Sequence, residues 1–258
     1  GPNTRRGTMS VGEEFRMTAT GGNTTVESRS IACSAFTLIE LLVVISIIAV
    51  LSGLVVGLAG MASRKSKETR VRAELNQLLT AIDGYHAKLG FYPPDNHNAA
   101  NFNLSAVTNQ LFYELAGVVM TNQPTPNGGF VSSSHGEIVS SDNVRAYFNT
   151  PGIANSARTE RELKFQTLFK KGQYTEISAT NNPTGNDVDI DVLIVPVPWP
   201  VNDPNPPVPG RKGLNPWRYV SSSPTNNPGK YDLWAEFIVG GKKLIIGNWS
   251  RDTIVVEK

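Results

Sequence analysis

From Leu41 to Ala62 no residue is charged and most are aliphatic. Coiled as a helix, that run reaches about 30 Å, the thickness of a bilayer's hydrocarbon core, and so predicts a membrane-spanning segment. Beyond it the apolar positions thin to a single stripe: Val71, Leu75, Leu78, Leu79, Ile82, Tyr85 and Leu89 recur at three- and four-residue steps. Arg72, Glu74, Gln77, Asp83 and Lys88 stand between them. One helix over 36–89, about 80 Å long, accounts for both patterns, its second half made to lie against a globular domain. Gly90, Pro93 and Pro94 supply the stop.

The later chain changes period. Leu104, Val107, Leu111 and Leu115 predict a helix over 104–115. Residues 121–157, rich in Pro, Gly, Asn and Ser, read as a long loop with short ordered pieces. A short helix over 159–170 would bury Leu163, Phe165, Leu168 and Phe169. Strands follow: 188–197 is rich in β-branched residues, although Pro196, Pro198 and Pro200 confine its end to an edge or loop. After a stiff stretch at 204–209, segments 217–220, 231–239, 242–249 and 253–257 predict an antiparallel meander with Gly240-Gly241 as a hairpin turn. The fold class expected is α+β, a long N-terminal helix packed on a small antiparallel sheet over about 188–258.

One acid, Glu40, stands where the apolar run begins. A carboxylate in lipid costs on the order of 3 kcal/mol, so this acid either lies at the headgroup level without a role or has a partner or a task. Ser34-Ala35-Phe36-Thr37-Leu38-Ile39-Glu40-Leu41-Leu42-Val43-Val44 resembles the cleavage and methylation segment of type IV prepilins and of the pseudopilins of type II secretion. The resemblance implies that a membrane peptidase cuts between Ala35 and Phe36, on the cytoplasmic side, and N-methylates Phe36. It makes Glu40 the assembly acid, paired with the terminal amine of a neighbouring subunit; such an amine is mostly cationic at neutral pH. The family usually has Gly where Ala35 stands, and often Pro where Gly57 stands. Leu89-Gly90-Phe91-Tyr92-Pro93-Pro94-Asp95 resembles the turn after the long helix of major pseudopilins. Leu214-Asn215-Pro216-Trp217, Tyr231-Asp232-Leu233 and Ile246-Gly247-Asn248-Trp249 follow in that family's order.

Three segments result: a leader at 1–35, polar and without periodicity; a transmembrane and filament-core helix at 36–62; and an exterior pilin-like domain at 63–258 whose long helix continues over 63–89. Met9 and Met17 offer starts, and Met17 gives the leader a more ordinary length. Ala49, Gly53 and Gly57, four apart, stack on one helix face, which is either ordinary membrane-helix composition or a face that lets helices approach closely in lipid. Arg64, Lys65, Lys67, Arg70 and Arg72 follow the apolar run, against Glu68. Taken alone they would put the exterior part in the cytoplasm. The processing segment, whose peptidase acts on a cytoplasmic leader, implies the opposite, an inner-membrane protein with a periplasmic exterior.

Charge and composition restrict the chemistry. With 24 basic against 22 acidic residues nucleic acid is not expected as a partner. The single cysteine, Cys33, falls in the leader, so no disulfide is expected in the mature chain. Major pseudopilins commonly hold calcium in the loop between their last strands. Here Asp232 remains, but Asn215 replaces a usual Asp and Trp234, Phe237 and Val239 lie nearby, so that site is expected to be lost. Asp187, Asp189 and Asp191 share one strand face, read as solvated opposite Val188, Ile190 and Val192 rather than as a metal site. His86, His97 and His135 show no ligand spacing, and neither a nucleophile elbow nor a phosphate-binding Gly loop occurs. His86 is expected to be exposed on its helix.

The resulting expectation is a non-enzymatic subunit of a type II secretion pseudopilus, without cofactor. Its partners would be further copies of itself in a filament, the prepilin peptidase, the inner-membrane assembly machinery and membrane lipid. A type IV pilin for adhesion, motility or DNA uptake is the alternative in the same class. From other classes come a single-pass membrane-anchored enzyme or binding module, and a secreted protein cut after Gly60-Met61-Ala62.

Overall fold

The computed structural model of the chain describes residues 36–96, 106–122, 127–132, 136–159, 169–179 and 188–256, without the side chains of 55–59, 178–179 and 188–189. Residues 160–168 of the expected helix 159–170 lie outside the described residues, as do Ala35, Cys33, His97, His135 and Asp187. The chain divides into two units, Gly1–Val50 and Leu51–Lys258.

Helix α1 spans Leu38–Leu89. It ends at Gly90, whose φ of 83° is the left-handed conformation that closes helices, with the Gly90 amide donating to His86 O at 2.8 Å. Among the described residues no helix is long and apolar enough to cross a membrane. Residues 55–59, inside the predicted span 41–62, are not part of that description.

The predicted stripe is the buried face of α1. Val71, Leu75, Leu78, Ile82 and Tyr85 are all buried, and Leu79 and Leu89 pack partly against the same core. Burying each such side chain contributes roughly 1.5–3 kcal/mol. Polar links fix the register: Trp217 Nε1 donates to Glu74 Oε1 at 2.9 Å, and Tyr85 Oη to Glu114 Oε2 at 2.9 Å.

Between Pro93 and Leu193 the chain departs from the sequence reading. The helix expected over 104–115 is interrupted, and α2 occupies only Leu111–Ala116. Asn109 is the cause. Its Nδ2 donates to Ala106 O at 2.7 Å and to Trp217 O at 3.1 Å, while its Oδ1 accepts from the Leu111 amide at 3.2 Å. An Asn side chain that takes over backbone partners ends one helical turn and starts another.

The expected loop 121–157 carries a sheet instead. Strands β1 (Val118–Thr121), β2 (Gly129–Ser132), β3 (Ile138–Ser140) and β4 (Ser156–Ala157) stand in the order β3-β2-β1-β4, β4 running parallel to β1, with helix α3 at Ser141–Phe148. Ser140 caps α3 by accepting from the Asn143 amide at 3.1 Å.

Strands β5 (Tyr174–Ala179) and β6 (Val188–Leu193) form an antiparallel pair of their own, and the chain just beyond β6 meets the C-terminal sheet only by an antiparallel bridge between Ile194 and Pro216, with the Trp217 amide donating to Leu193 O at 2.9 Å and the Val195 amide to Asn215 O at 2.8 Å. That sheet is the predicted meander: β7 (Arg218–Val220), β8 (Asp232–Val239), β9 (Lys242–Gly247) and β10 (Ile254–Val256) in the order β10-β9-β8-β7. Gly240 and Gly241, with φ of 59° and 78°, make the two-residue turn between β8 and β9. The architecture is α+β and pilin-like, a long N-terminal helix packed on antiparallel sheets.

Candidate functional site

The residues with a task in the sequence lie at the start of α1. Phe36, 76% exposed, precedes Thr37, and Thr37 and Glu40 bind each other reciprocally. The Glu40 Oε2 accepts from the Thr37 amide at 2.9 Å and from Thr37 Oγ1 at 2.8 Å; Thr37 Oγ1 accepts in turn from the Glu40 amide at 3.3 Å. This is a capping box, Thr at the N-cap and Glu at the third helical position, each satisfying a backbone amide the helix leaves unpaired. The Thr-x-x-Glu spacing carried that signal in the sequence, where the acid alone drew attention.

The cap fixes the carboxylate of Glu40 in the first turn, beside the Phe36 that a cut after Ala35 would expose. A charge held there also lies at the positive end of the helix dipole. Downstream, Ile39, Leu41, Leu42, Ile45, Ile48 and Leu51 are all more than half exposed. A continuous apolar surface of this kind marks contact with lipid or with other helices. Ser46, the polar residue inside it, donates Oγ to Leu42 O at 2.7 Å, so its hydroxyl is satisfied within the helix. Ala49 is exposed, and a Cβ built on Gly53 meets nothing within 4 Å, while Gly57 falls in the stretch left undescribed.

Other polar groups serve the fold. Asp232, buried, accepts from the amides and side chains of Asn226 and Asn227 at 2.8–3.2 Å, two donors on each oxygen. Asn215 donates Nδ2 to Val197 O and Glu236 O, each at 2.8 Å. Asp191 corrects the reading of a solvated face. It is 4% exposed, covered by Tyr113, whose hydroxyl accepts from the Asp191 amide at 2.9 Å. His86 is half-buried rather than exposed, stacked on Tyr92 with ring centroids 4.3 Å apart. Among the described residues no group of three or more His, Cys, Asp or Glu could hold a metal ion.

Glu114 escaped the sequence reading. Fully buried on α2, it accepts from Tyr85 Oη at 2.9 Å, Gln110 Nε2 at 3.2 Å and the amides of Ala154 and Asn155 at 2.8 Å each. It thereby joins α1, α2 and the segment leading into β4. Burial pushes its carboxyl up to about 7, against the pull of those donors. Nothing in a single sequence distinguishes it from a surface Glu on a helix.

No curated protein and no solved structure matches the chain. Residues 32–56 do match the prokaryotic N-terminal methylation motif, which implies processing by a prepilin peptidase, anchoring in the inner membrane and assembly into filaments. With Phe36, Glu40 and the exposed apolar turns all inside the matched stretch, the chain carries the processing motif of a type IV pilin- or pseudopilin-like prepilin.

Proposed function

We propose that the protein is a structural subunit of a type II secretion pseudopilus, cleaved between Ala35 and Phe36, N-methylated on Phe36 and stored in the inner membrane until assembly. The observation that supports it most is the placement of Glu40. Its carboxylate is held by Thr37 one turn or less from Phe36. A neighbour's terminal amine arriving there meets a positioned counter-charge; two unit charges about 4 Å apart attract by at most ~4 kcal/mol at an effective dielectric of 20, before desolvation. That attraction favours one stagger between helices over the others. The face of Ala49, Gly53 and Gly57 then lets the helices close in lipid.

The assignment to a secretion pseudopilus rather than an adhesive or DNA-uptake pilus draws on two features. One is the Gly90-Phe91-Tyr92-Pro93 turn, whose Pro93 carbonyl accepts from Tyr219 Oη and Ser221 Oγ at 2.8 Å each. The other is the meander that ends in Asn248-Trp249. No catalytic role is assigned. Deleting the chain's gene in its host, then measuring exported enzyme activity in the medium against twitching and DNA uptake, tests the assignment. Loss of secretion alone supports the pseudopilus; loss of motility or uptake with intact secretion contradicts it.

A further inference from the structure

Strand β10 is the outer member of the C-terminal sheet, and each of its residues is exposed: Ile254 39%, Val255 39% and Val256 37%. Its inner edge is occupied, with Ile254, Val255 and Val256 opposite Ile245, Leu244 and Lys243 of β9. Its outer edge pairs with no strand among the described residues. Leu244 is fully buried and Ile245 only partly, so Val255 stands on the core side of the sheet and Ile254 and Val256 on the other. One unpaired edge therefore shows apolar surface on both sides. Soluble sheets protect such an edge with Lys, Pro or a cover, and neither Lys nor Pro interrupts Ile254-Val255-Val256. The opposite edge strand differs, since Arg218, Tyr219 and Val220 of β7 are all buried.

The exposed edge is fastened to α1. Thr253, which leads into β10, accepts from Arg72 Nη2 at 3.0 Å and donates its hydroxyl to Glu68 Oε2 at 3.2 Å. Glu68 and Arg72 stand about 9 and 15 Å along the helix from Ala62, the last residue of the uncharged run. Helices that touch at the end of that run and cross at about 20° separate by only about 5 Å over the next 15 Å. An edge fastened there lies where the exteriors of adjacent copies come nearest. A strand added to it continues the ladder and lays apolar side chains beside Val255 on one side and beside Ile254 and Val256 on the other. We propose that β10 is the edge at which an extended segment of a second copy of this chain docks when copies assemble. A second copy is the occupant because the processing motif implies assembly into filaments and the fastening on α1 brings that copy to the edge. The contact is heterologous, β10 of one copy against a different surface of the next, as an open filament requires.

The inference rests on the filament reading above, and the two fail separately. The full chain is expressed in its host with the photo-crosslinking residue p-benzoylphenylalanine at position 255, and sheared filaments are irradiated. The expected product has twice the subunit mass, and mass spectrometry places its second peptide within 63–258 of another copy. A product joined to a different protein or to lipid, or no product from filaments that do form, overturns the site. Because the probe is bulkier than Val255, a second variant reads the edge without it. I254K/V256K puts charge at two positions already open to solvent, and the yield of sheared filaments falls at least about fivefold at matched cleavage and membrane level, with the melting temperature unchanged. V201K/N205K, which adds the same charge on an exposed loop, leaves the yield as in the parent. Undiminished assembly of I254K/V256K, or equal loss in the two variants, overturns the edge. A parent that is neither cut before Phe36 nor filamentous contradicts the filament reading; a filament indifferent to I254K/V256K contradicts the edge alone.

Discussion

Glu40 is engaged by its own chain, and that engagement separates two explanations of its role. Gln can replace Glu in a capping box but carries no charge, whereas Leu removes both the cap and the charge. The cap is worth about 1 kcal/mol of helix stability. If charge pairing with the incoming amine sets the stagger, E40Q and E40L both reach the membrane and both fail to form filaments. Counting sheared filaments at matched cleavage and membrane level reads this directly. Assembly restored by E40Q would leave the cap as the whole role. A second residue-scale expectation concerns acid. Burial pushes Glu74 as well as Glu114 up to about 7, from an ordinary 4.5. The folded state therefore keeps protons that the unfolded chain has released between those values. This contribution is complete below pH 4.5 and lost as pH rises through 7, on the order of 1–2 kcal/mol for each group. The melting temperature of the full chain in detergent should fall from pH 5.5 to pH 8, and E114Q should flatten the fall. A melting temperature that climbs with pH over that interval would contradict the burial assigned to these carboxyls.

Long periodic elements were legible in the sequence because their period repeats often enough to be seen. The stripe from Val71 to Leu89 and the Gly240-Gly241 hairpin stand where the residues put them. The sheet of β1 to β4 was not legible, since strands of two to four residues hold no measurable alternation and β4 joins β1 across a helix. Asp191 was misread for the same reason: alternation assigns faces, but only the tertiary packing of Tyr113 decides that both faces of β6 are covered. The capping box was readable from spacing, and the hub at Glu114 was not, because all its donors but Gln110 come from positions 29 to 41 residues away. At this scale the Asp232 loop makes a prediction. Four N–H donors already occupy both of its carboxylate oxygens, so adding calcium or a chelator should leave the melting temperature unchanged. D232A should cost roughly 2–3 kcal/mol, since it removes the acceptor shared by four part-buried hydrogen bonds. A rise with calcium would mean that the loop opens to take the ion. The β9–β10 connection makes another: G247L should displace Trp249 and lower stability by about 1–3 kcal/mol, seen as a red shift in tryptophan emission.

At the scale of the whole molecule, an exposed apolar helix start precedes an exterior with a buried core of its own. Among the described residues the buried cluster draws on α1 from Val71 onward, so changes before Ala62 should alter processing and assembly while the exterior unfolds at its usual temperature. Position 35 gives the simplest such change. A35G should be processed at least as well as the parent, and A35W should accumulate in the long form with an unchanged melting temperature. Everything proposed for the filament, including the stagger set at Glu40, depends on a new terminus at Phe36. The most direct measurement is therefore the N-terminus of the mature protein, isolated from host membranes and read by mass spectrometry. The expected chain begins with N-methylated Phe36; a chain beginning at Ser63, or one that retains its leader, would contradict the filament role.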